Sequence, residues 1–479
     1  MSKSFTANLL FILIINLIIK PLYVFGVEVE VQNTLGADQY GLFFALLNSA
    51  YLLQIVNDFG IQLFNNRQVS MDRKQLTGLL PGLLVIKLVF SLLYIVLLTL
   101  LGFALGYSGS IGLFLLIGIN LILISFILFI RSGISGLGYY RIDSVLSVLD
   151  KFLMILIIGG MLIFLRHHGF SVYHFVFGQM AALLLTAVIA WSLLQRYGHL
   201  AFATIPLGRL WELVQKAFPY ALVVFLMTLY TRSDGVMIKA LLPNGDYEAG
   251  IYAAGYRILD AVNMVAFLFA VMLLPMFSRV QNVLPELQRL LDEGVRYMAI
   301  LVLPVCLFGI LFNDQIMALL YTQASAYWGR VFALLIATFA TTGVMYVFGT
   351  LLTALGNLRA MNSVYAVTLA LNILLNFLLI PRFHAGGAAI ATVVTQVFAA
   401  TGIVVLCFRA VRMALAPSLL FRLLGFGAGC FVIFWLTGKV LLPGRWVLGL
   451  PLMGVLVVIL AFGFRLIRFA ELRLLAGKR

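Results

Sequence analysis

The chain has 479 residues, of which 63% are hydrophobic and 10% charged, with a formal net charge of +15. Soluble domains carry about 45–50% apolar and about 25% charged residues, so a soluble globular protein is excluded. Runs that are apolar on every face, such as LLVIKLVFSLLYIVLLTLLGF (83–103), exclude the alternating strands of a membrane barrel. What remains is an all-α integral membrane protein.

The first apolar segment, 8–27, follows a single basic residue, Lys3, and contains Lys20-Pro21 with no small-residue cleavage site. It reads as a retained span rather than a signal peptide. Further spans are expected at 41–64, 79–102, 111–131, 144–165 and 171–194. A polar, basic segment, 196–216, follows, and then 217–242, 250–274, 295–313, 331–354, 362–380, 386–408, 417–438 and 446–464. At about 20 residues per span this gives about fourteen transmembrane helices with both ends on one side.

Self-similarity organises these spans. ISGLGYYR (134–141) matches LTALGNLR (352–359) at an offset of 218, which carries Gly169 onto Gly387 and Ala181-Ala182 onto Ala399-Ala400. Earlier, YGLFFA (40–45) falls on AGIYAA (249–254) at an offset of 209. Each copy holds an even number of spans, so the halves are parallel repeats around a central cavity. The expected division is a six-helix lobe (1–195), a cytoplasmic linker (196–216) forming a short interfacial helix, a second six-helix lobe (217–410), and two last helices with a cytoplasmic tail (411–479).

Charge orients the chain. With the N-terminus inside, 21 of the 32 basic residues fall on inside segments and five on outside loops, whereas Glu28, Glu30, Asp38, Asp246 and Glu248 fall outside. This is the positive-inside pattern with both termini cytoplasmic, and it accounts for most of the positive charge without nucleic acid. Cys306, Cys407 and Cys430 lie in apolar runs without pair spacing, so neither disulfides nor a metal is expected. With no GxxxxGK[ST] loop and no HExxH, no cofactor is expected either. GFGAG (425–429) lies in an apolar run and reads as helix packing; His167-His168 sits solvated at a span end.

Ten charged residues remain within or beside spans: Lys20, Lys87, Lys151, Arg232, Lys239, Arg257, Asp58, Asp150, Asp234 and Asp260. Facing lipid, each would cost about 2.5–3.5 kcal/mol on insertion scales, so they pair, snorkel or line a wet cavity. Lys87, Asp150 and Lys151 are expected to pair within the first half. Arg232 and Lys239 share a face of span 7, and Arg257 and Asp260 share a face of span 8. Six cations against four acids ask for an anionic ligand, phosphate being the natural one for Arg forks and Lys point charges; ion pairs Arg232–Asp234 and Arg257–Asp260 are the alternative. Gln54, Asp58 and Gln62 on span 2, and Thr368, Asn372 and Asn376 on span 11, form polar stripes suited either to sugar hydroxyls or to helix contacts. The hydroxyl run Thr338, Thr341, Thr342, Tyr346 and Thr350 on span 10 carries the same two readings. Asp58 is either a titrating carboxyl that couples transport to protons or a gate salt-bridged to Lys20.

LGADQYGLFFAL (35–46), AGIYAAGYRI (249–258) and LNILLNFLLIPRFHAGGAAIATVVTQ (371–396) together resemble the polysaccharide transporter (Wzx-type) branch of the MOP flippase superfamily, which also holds the MurJ and MATE branches. The resemblance implies two six-helix lobes around a cationic cavity, with basic residues on spans 1, 2, 7 and 8. Lys20, Arg232 and Arg257 match spans 1, 7 and 8, with Lys239 as a further phosphate contact; span 2 departs, offering Asp58 and amides. The implied activity is flipping of an undecaprenyl-diphosphate-linked oligosaccharide, such as an O-antigen unit, to the periplasmic leaflet of the bacterial inner membrane. The chain would be a monomer and not an enzyme, and polymerase and ligase machinery would be its partners beside membrane lipid. Asp58, Asp234, Asp260, Gln54, Gln62, Asn372 and Asn376 are expected to gate, couple or line the cavity. Alternatives are a MATE-like ion-coupled exporter, disfavoured by the cation excess, and a lipid II flippase, disfavoured because the first span lacks the arginines of that branch. A polymerase or ligase would need a large outside loop, and the longest here, 314–330, is short.

Overall fold

The structure is a computed structural model that describes residues 15–71, 75–165, 169–198, 207–411, 415–441 and 446–467. The expectations for Lys3, His167-His168 and the tail beyond 467 lie outside the described residues. The fold is all-helical, and ten helices are long and apolar enough to cross a membrane among the residues described.

Helix α1 (15–23) passes through a π-helical turn, Val24–Glu28, into α2 (Val29–Leu52), followed by α3 (Gln54–Asp58) and α4 (Ile61–Met71). Then come α5 (Gln75–Ala104), α6 (Ile111–Gly136), α7 (Tyr140–Leu165), α8 (Val172–Gly198) and α9 (Leu207–Leu241). The rest are α10 (Gly245–Val280), α11 (Leu284–Leu311), α12 (Asn313–Leu320), α13 (Ala326–Ala354), α14 (Leu358–Val411), α15 (Pro417–Trp435) and α16 (Trp446–Gly463).

Two expected loops prove helical. No loop occupies 28–35: Glu28 and Gln32 are buried, and the corner between spans 1 and 2 is at Gly36 (φ 79°, ψ 167°). Nor does 207–216 form a separate interfacial helix; it is the start of the 35-residue α9. There Leu213, with Leu210 and Val214, joins a core that also holds Phe129, Ile130 and Leu194. The 54-residue α14 is divided at His384 (φ 55°, ψ −135°). Unbroken, it would run about 80 Å, more than twice a bilayer's hydrocarbon core of about 30 Å. The amide of Ala385, where the helix restarts, donates to the buried Glu248 carboxylate at 3.0 Å.

The repeat is visible in the backbone. Gly138 (φ 89°) and Gly356 (φ 77°) occupy equivalent positions after α6 and α13. In both, the amide of the next residue reaches back five positions, Tyr139 to the Ile134 carbonyl at 3.2 Å and Asn357 to that of Leu352 at 3.0 Å. This is the closure that a left-handed C-terminal residue permits, and glycine adopts it at least cost. The onward match of Gly169 to Gly387 is not kept: Gly169 has φ 93°, whereas Gly387 is helical within α14.

By packing, the chain forms two compact units. The first comprises Met1–Ala254 with Asn376–Ala385, and the second Gly255–Leu375 with Gly386–Arg479. The boundaries of these units fall inside α10 and α14. In the first unit the repeat-equivalent Gly41 and Gly250 lie at close approaches of α2 and α10. A Cβ on Gly41 would overlap the Asp246 carbonyl, and one on Gly250 would overlap that of Ala37. In the second unit α15 and α16 pack against the end of α11 through Phe308, Phe312, Phe434 and Trp446. The three cysteines are buried and free.

Candidate functional site

In the first unit, the helix expected as span 2 is broken. Leu53 leaves helical space (φ −91°, ψ 0°), α3 lasts five residues, and Phe59 is left-handed (φ 45°). Gln62 therefore lies on a separate helix, and the expected continuous stripe Gln54–Asp58–Gln62 does not exist. A break in an apolar layer frees backbone carbonyls that neighbouring groups must take. Tyr94 donates its hydroxyl to the Ala50 carbonyl at 3.0 Å, and the Lys87 ammonium reaches the Asn57 carbonyl at 3.5 Å.

Lys87 also donates to the Ser125 hydroxyl at 2.6 Å, lies 3.8 Å from the Asp58 carboxylate, and faces the Phe129 ring at 5.9 Å. Ser125 in turn donates to Asp58 Oδ1 at 3.4 Å. The Asn57 amide closes the cluster, accepting from Ser91 at 3.1 Å and donating to the Leu121 carbonyl at 3.3 Å. Lys87 is 2% exposed, so its charge is sustained by this partnership. The expected pairing within the first half is observed: Lys87 pairs with Asp58, and Asp150 lies 3.4 Å from Lys151. Lys20, half-buried on α1, lies in the electrostatic field of Asp150, Arg131 and Lys151 and is not the partner of Asp58.

Helix α9 carries the other first-unit cations. Arg232 is half-buried, its guanidinium 4.6 Å from the centre of the Tyr51 ring. Asp234 is buried and accepts from the Tyr252 hydroxyl at 2.7 Å and from the Asn376 amide at 2.6 Å; Asp234 and Asn376 thus fasten α9, α10 and α14 together. Lys239 pairs with Asp246 and sits 5.5 Å above the Tyr107 ring. Burial pushes the Tyr107 phenol up, opposed by its hydrogen bond to Ser49, so the ring facing Lys239 stays neutral. Lys239, expected on a diphosphate, has its charge met at the α9–α10 corner.

In the second unit Arg257 and Asp260 are half-buried on α10, with Asp260 in the electrostatic field of Tyr346. Asn372 is buried. The hydroxyl run is locally satisfied: Thr338, Thr341 and Thr342 donate to carbonyls of their own helix, and Thr368 does the same. Thr341 and Thr342 also meet Gln396 Oε1 at 3.2 and 3.1 Å. Among the described residues no cluster of His, Cys, Asp or Glu could hold a metal.

Sequence reasoning missed the Lys87–Asp58 pair and the roles of Tyr51 and Glu248. One signal was available: a lone lysine amid the apolar run 83–103 requires a carboxylate at membrane depth, and Asp58 is the one acidic residue inside the expected span that precedes it. Chemically, Arg232 is a guanidinium held in a fixed orientation by the Tyr51 ring. The Lys87–Ser125–Asp58 chain can break or re-form as charge or protonation changes beside it.

The family described as polysaccharide biosynthesis protein matches residues 5–281; no curated relative matches. Among solved structures, the chain is similar to the lipid II flippase MurJ in an inward closed conformation. That likeness has 13% identity and a TM-score of 0.72, over 97% of this chain and 99% of that one. It is also similar to an inward-facing multidrug resistance MATE family transporter of the MOP superfamily, at 14% identity and TM-score 0.59, over 83% and 94%. A MOP superfamily transporter from Pyrococcus furiosus, described as having a binding pocket of reverse polarity, gives 16% identity and TM-score 0.56, over 85% and 96%. At such identities the likeness shows the shared fold.

Proposed function

Because the chain belongs to the polysaccharide biosynthesis protein family and shares its fold with MurJ and MATE transporters, we propose that it is a transporter that flips a polyprenyl-diphosphate-linked oligosaccharide. The direction is from the cytoplasmic to the periplasmic leaflet of a bacterial inner membrane, by alternating access, for cell-surface polysaccharide biosynthesis. The observation that carries this reading is Arg232, a half-buried guanidinium on a membrane helix, oriented against Tyr51 at 4.6 Å. Stacking on a ring fixes the plane of a guanidinium, whose fork matches the geometry of a phosphate. Arg257 offers a second fork in the other unit, and Lys20 a point charge near the start of the chain. Asp58 and Lys87 form the element whose rearrangement couples or gates transport, since a carrier without a nucleotide loop draws on an ion gradient, the membrane potential or downstream consumption. Both termini are cytoplasmic on this reading, and the polymerase and ligase that consume the flipped glycan are its functional partners.

The test is flipping of fluorescent lipid-linked sugars in proteoliposomes, with and without proton or sodium gradients. Arg232→Ala and Arg257→Ala should each abolish flipping at normal expression, and Arg232→Lys should restore it only in part. Unchanged flipping in both alanine variants overturns the role assigned to them. A second reading, an ion-coupled exporter of organic molecules, is favoured by the half-buried Asp58 carboxylate together with the MATE-like fold. Proton-driven uptake of organic cations, with no flipping of any lipid-linked sugar, would establish it instead. Flipping of lipid II alone would assign the third alternative.

A further inference from the structure

The second unit contains a cavity of about 460 Å³ where the N-terminal ends of α11 and α15 meet the chain leaving α16. Its size falls within the range of about 300–1,000 Å³ typical of small-molecule sites. Four arginines line it, Arg289, Arg296, Arg422 and Arg465, against two carboxylates, Asp292 and Glu293. Both carboxylates are engaged along their own helix: Gln288 donates to Asp292 at 3.0 Å, and Arg289 pairs with Glu293 at 3.0 Å. Arg296 is buried, with its guanidinium 4.7 Å over the Tyr297 ring.

Arg422 and Arg465 differ. Their guanidinium groups make no hydrogen bond or ion pair among the described residues. Arg465 is placed by the backbone: it stands left-handed (φ 55°) just after α16, where its amide and that of Leu466 close the helix onto Phe462 and Ala461, each at 2.9 Å. Leu466 is completely buried there, and both residues line the cavity. Helix α15 begins at Pro417, and Ser418 of its first turn also lines the cavity. The positive end of a 19-residue helix therefore adds to the arginines.

We propose that this cavity binds a phosphoryl oxyanion, and that the phosphate belongs to an acidic phospholipid headgroup. Guanidinium forks beside a helix N-terminus are the chemistry of phosphate recognition. The lipid source follows from α15 itself. Leu420, Phe421 and Leu424, on the side of α15 turned away from Arg422, are 45%, 74% and 71% exposed; they set the first turns of this helix at the level of lipid chains, so the cavity lies at headgroup depth. The basic-residue distribution places this end at the cytoplasmic surface, where acidic lipids bind basic pockets between helices. The site is separate from Arg232 and Arg257, so it stands or falls independently of the transported substrate.

The test is binding to the purified full-length protein in detergent, read by native mass spectrometry and by the shift in melting temperature. Three probes are titrated: short-chain phosphatidylglycerol, phosphatidylcholine of the same chain length, and inorganic phosphate. The expected result is saturable binding of phosphatidylglycerol over phosphatidylcholine, weakened about tenfold in Arg422→Gln/Arg465→Gln and largely retained in Arg422→Lys/Arg465→Lys. The lysine variant also controls for folding. Equal binding of phosphatidylglycerol by wild type and the glutamine variant, or no preference over phosphatidylcholine, overturns the proposal. Inorganic phosphate binding as tightly as phosphatidylglycerol overturns the lipid assignment.

Discussion

At the scale of single residues, the membrane-embedded charges are held by groups on neighbouring elements. Asp234, Lys239 and Glu248 each meet a partner on another helix or across a corner, Tyr252 and Asn376, Asp246, and the Ala385 amide respectively. Their work is to hold helices in place. Asp58 and Lys87 share the buried cluster at the helix break, and Arg232 keeps a half-buried place on Tyr51. Removing one member of a buried pair leaves the other uncompensated, at a cost of about 3–5 kcal/mol. Asp58→Asn and Lys87→Met should therefore each lower the melting temperature clearly in detergent, whereas the double variant should recover most of the loss. Additive losses would show that the two charges do not support each other.

At the scale of elements, the departures from straight helices are where the chain does something specific. The break at Leu53–Gly60 creates the carbonyl that Lys87 uses, and the break at His384 creates the amide that Glu248 takes. The glycines of the repeat serve close contact. Because a Cβ at Gly41 or Gly250 would run into a backbone carbonyl, the main chain itself must move to admit one. Gly41→Ala and Gly250→Ala should each destabilise by about 1–3 kcal/mol. Gly454→Ala on α16, where nothing lies within 4 Å, should be neutral or slightly stabilising. Equal melting temperatures for all three would remove the close-approach argument.

At the scale of the whole molecule, the asymmetry of basic residues sets the expected orientation, and the structure tells where to probe it. Asp38 and Asn244 are exposed at the expected outside corners, and Asn282 at an expected inside one. Single cysteines at Asp38 and Asn244 should react with a membrane-impermeant maleimide in intact cells, and one at Asn282 only after permeabilisation. The native cysteines are buried and give a low background. The opposite pattern would invert the molecule and place the arginine cavity of the second unit on the outer surface.

Composition excluded a soluble core, with 63% hydrophobic residues, and unbroken apolar runs excluded a barrel, which settled the all-helical membrane class. The repeat was equally legible: glycine is the residue that accepts a left-handed cap cheaply, so matched glycines in matched motifs marked matched corners, as Gly138 and Gly356 do. The residues bearing charge in the membrane could also be named, since each is costly there and stands out against an apolar run. Their partners could not. Lys87 lies 30 residues from the Asn57 carbonyl and 38 from Ser125, and Asn376 lies 142 from Asp234. Periodicity reports which face of one helix a residue occupies, not which other helix packs there. The breaks at Phe59 and His384 were hidden for the same reason. Positive φ is uncommon for any residue but glycine, so only the packed neighbours that use the freed carbonyl and amide hold the backbone in those conformations.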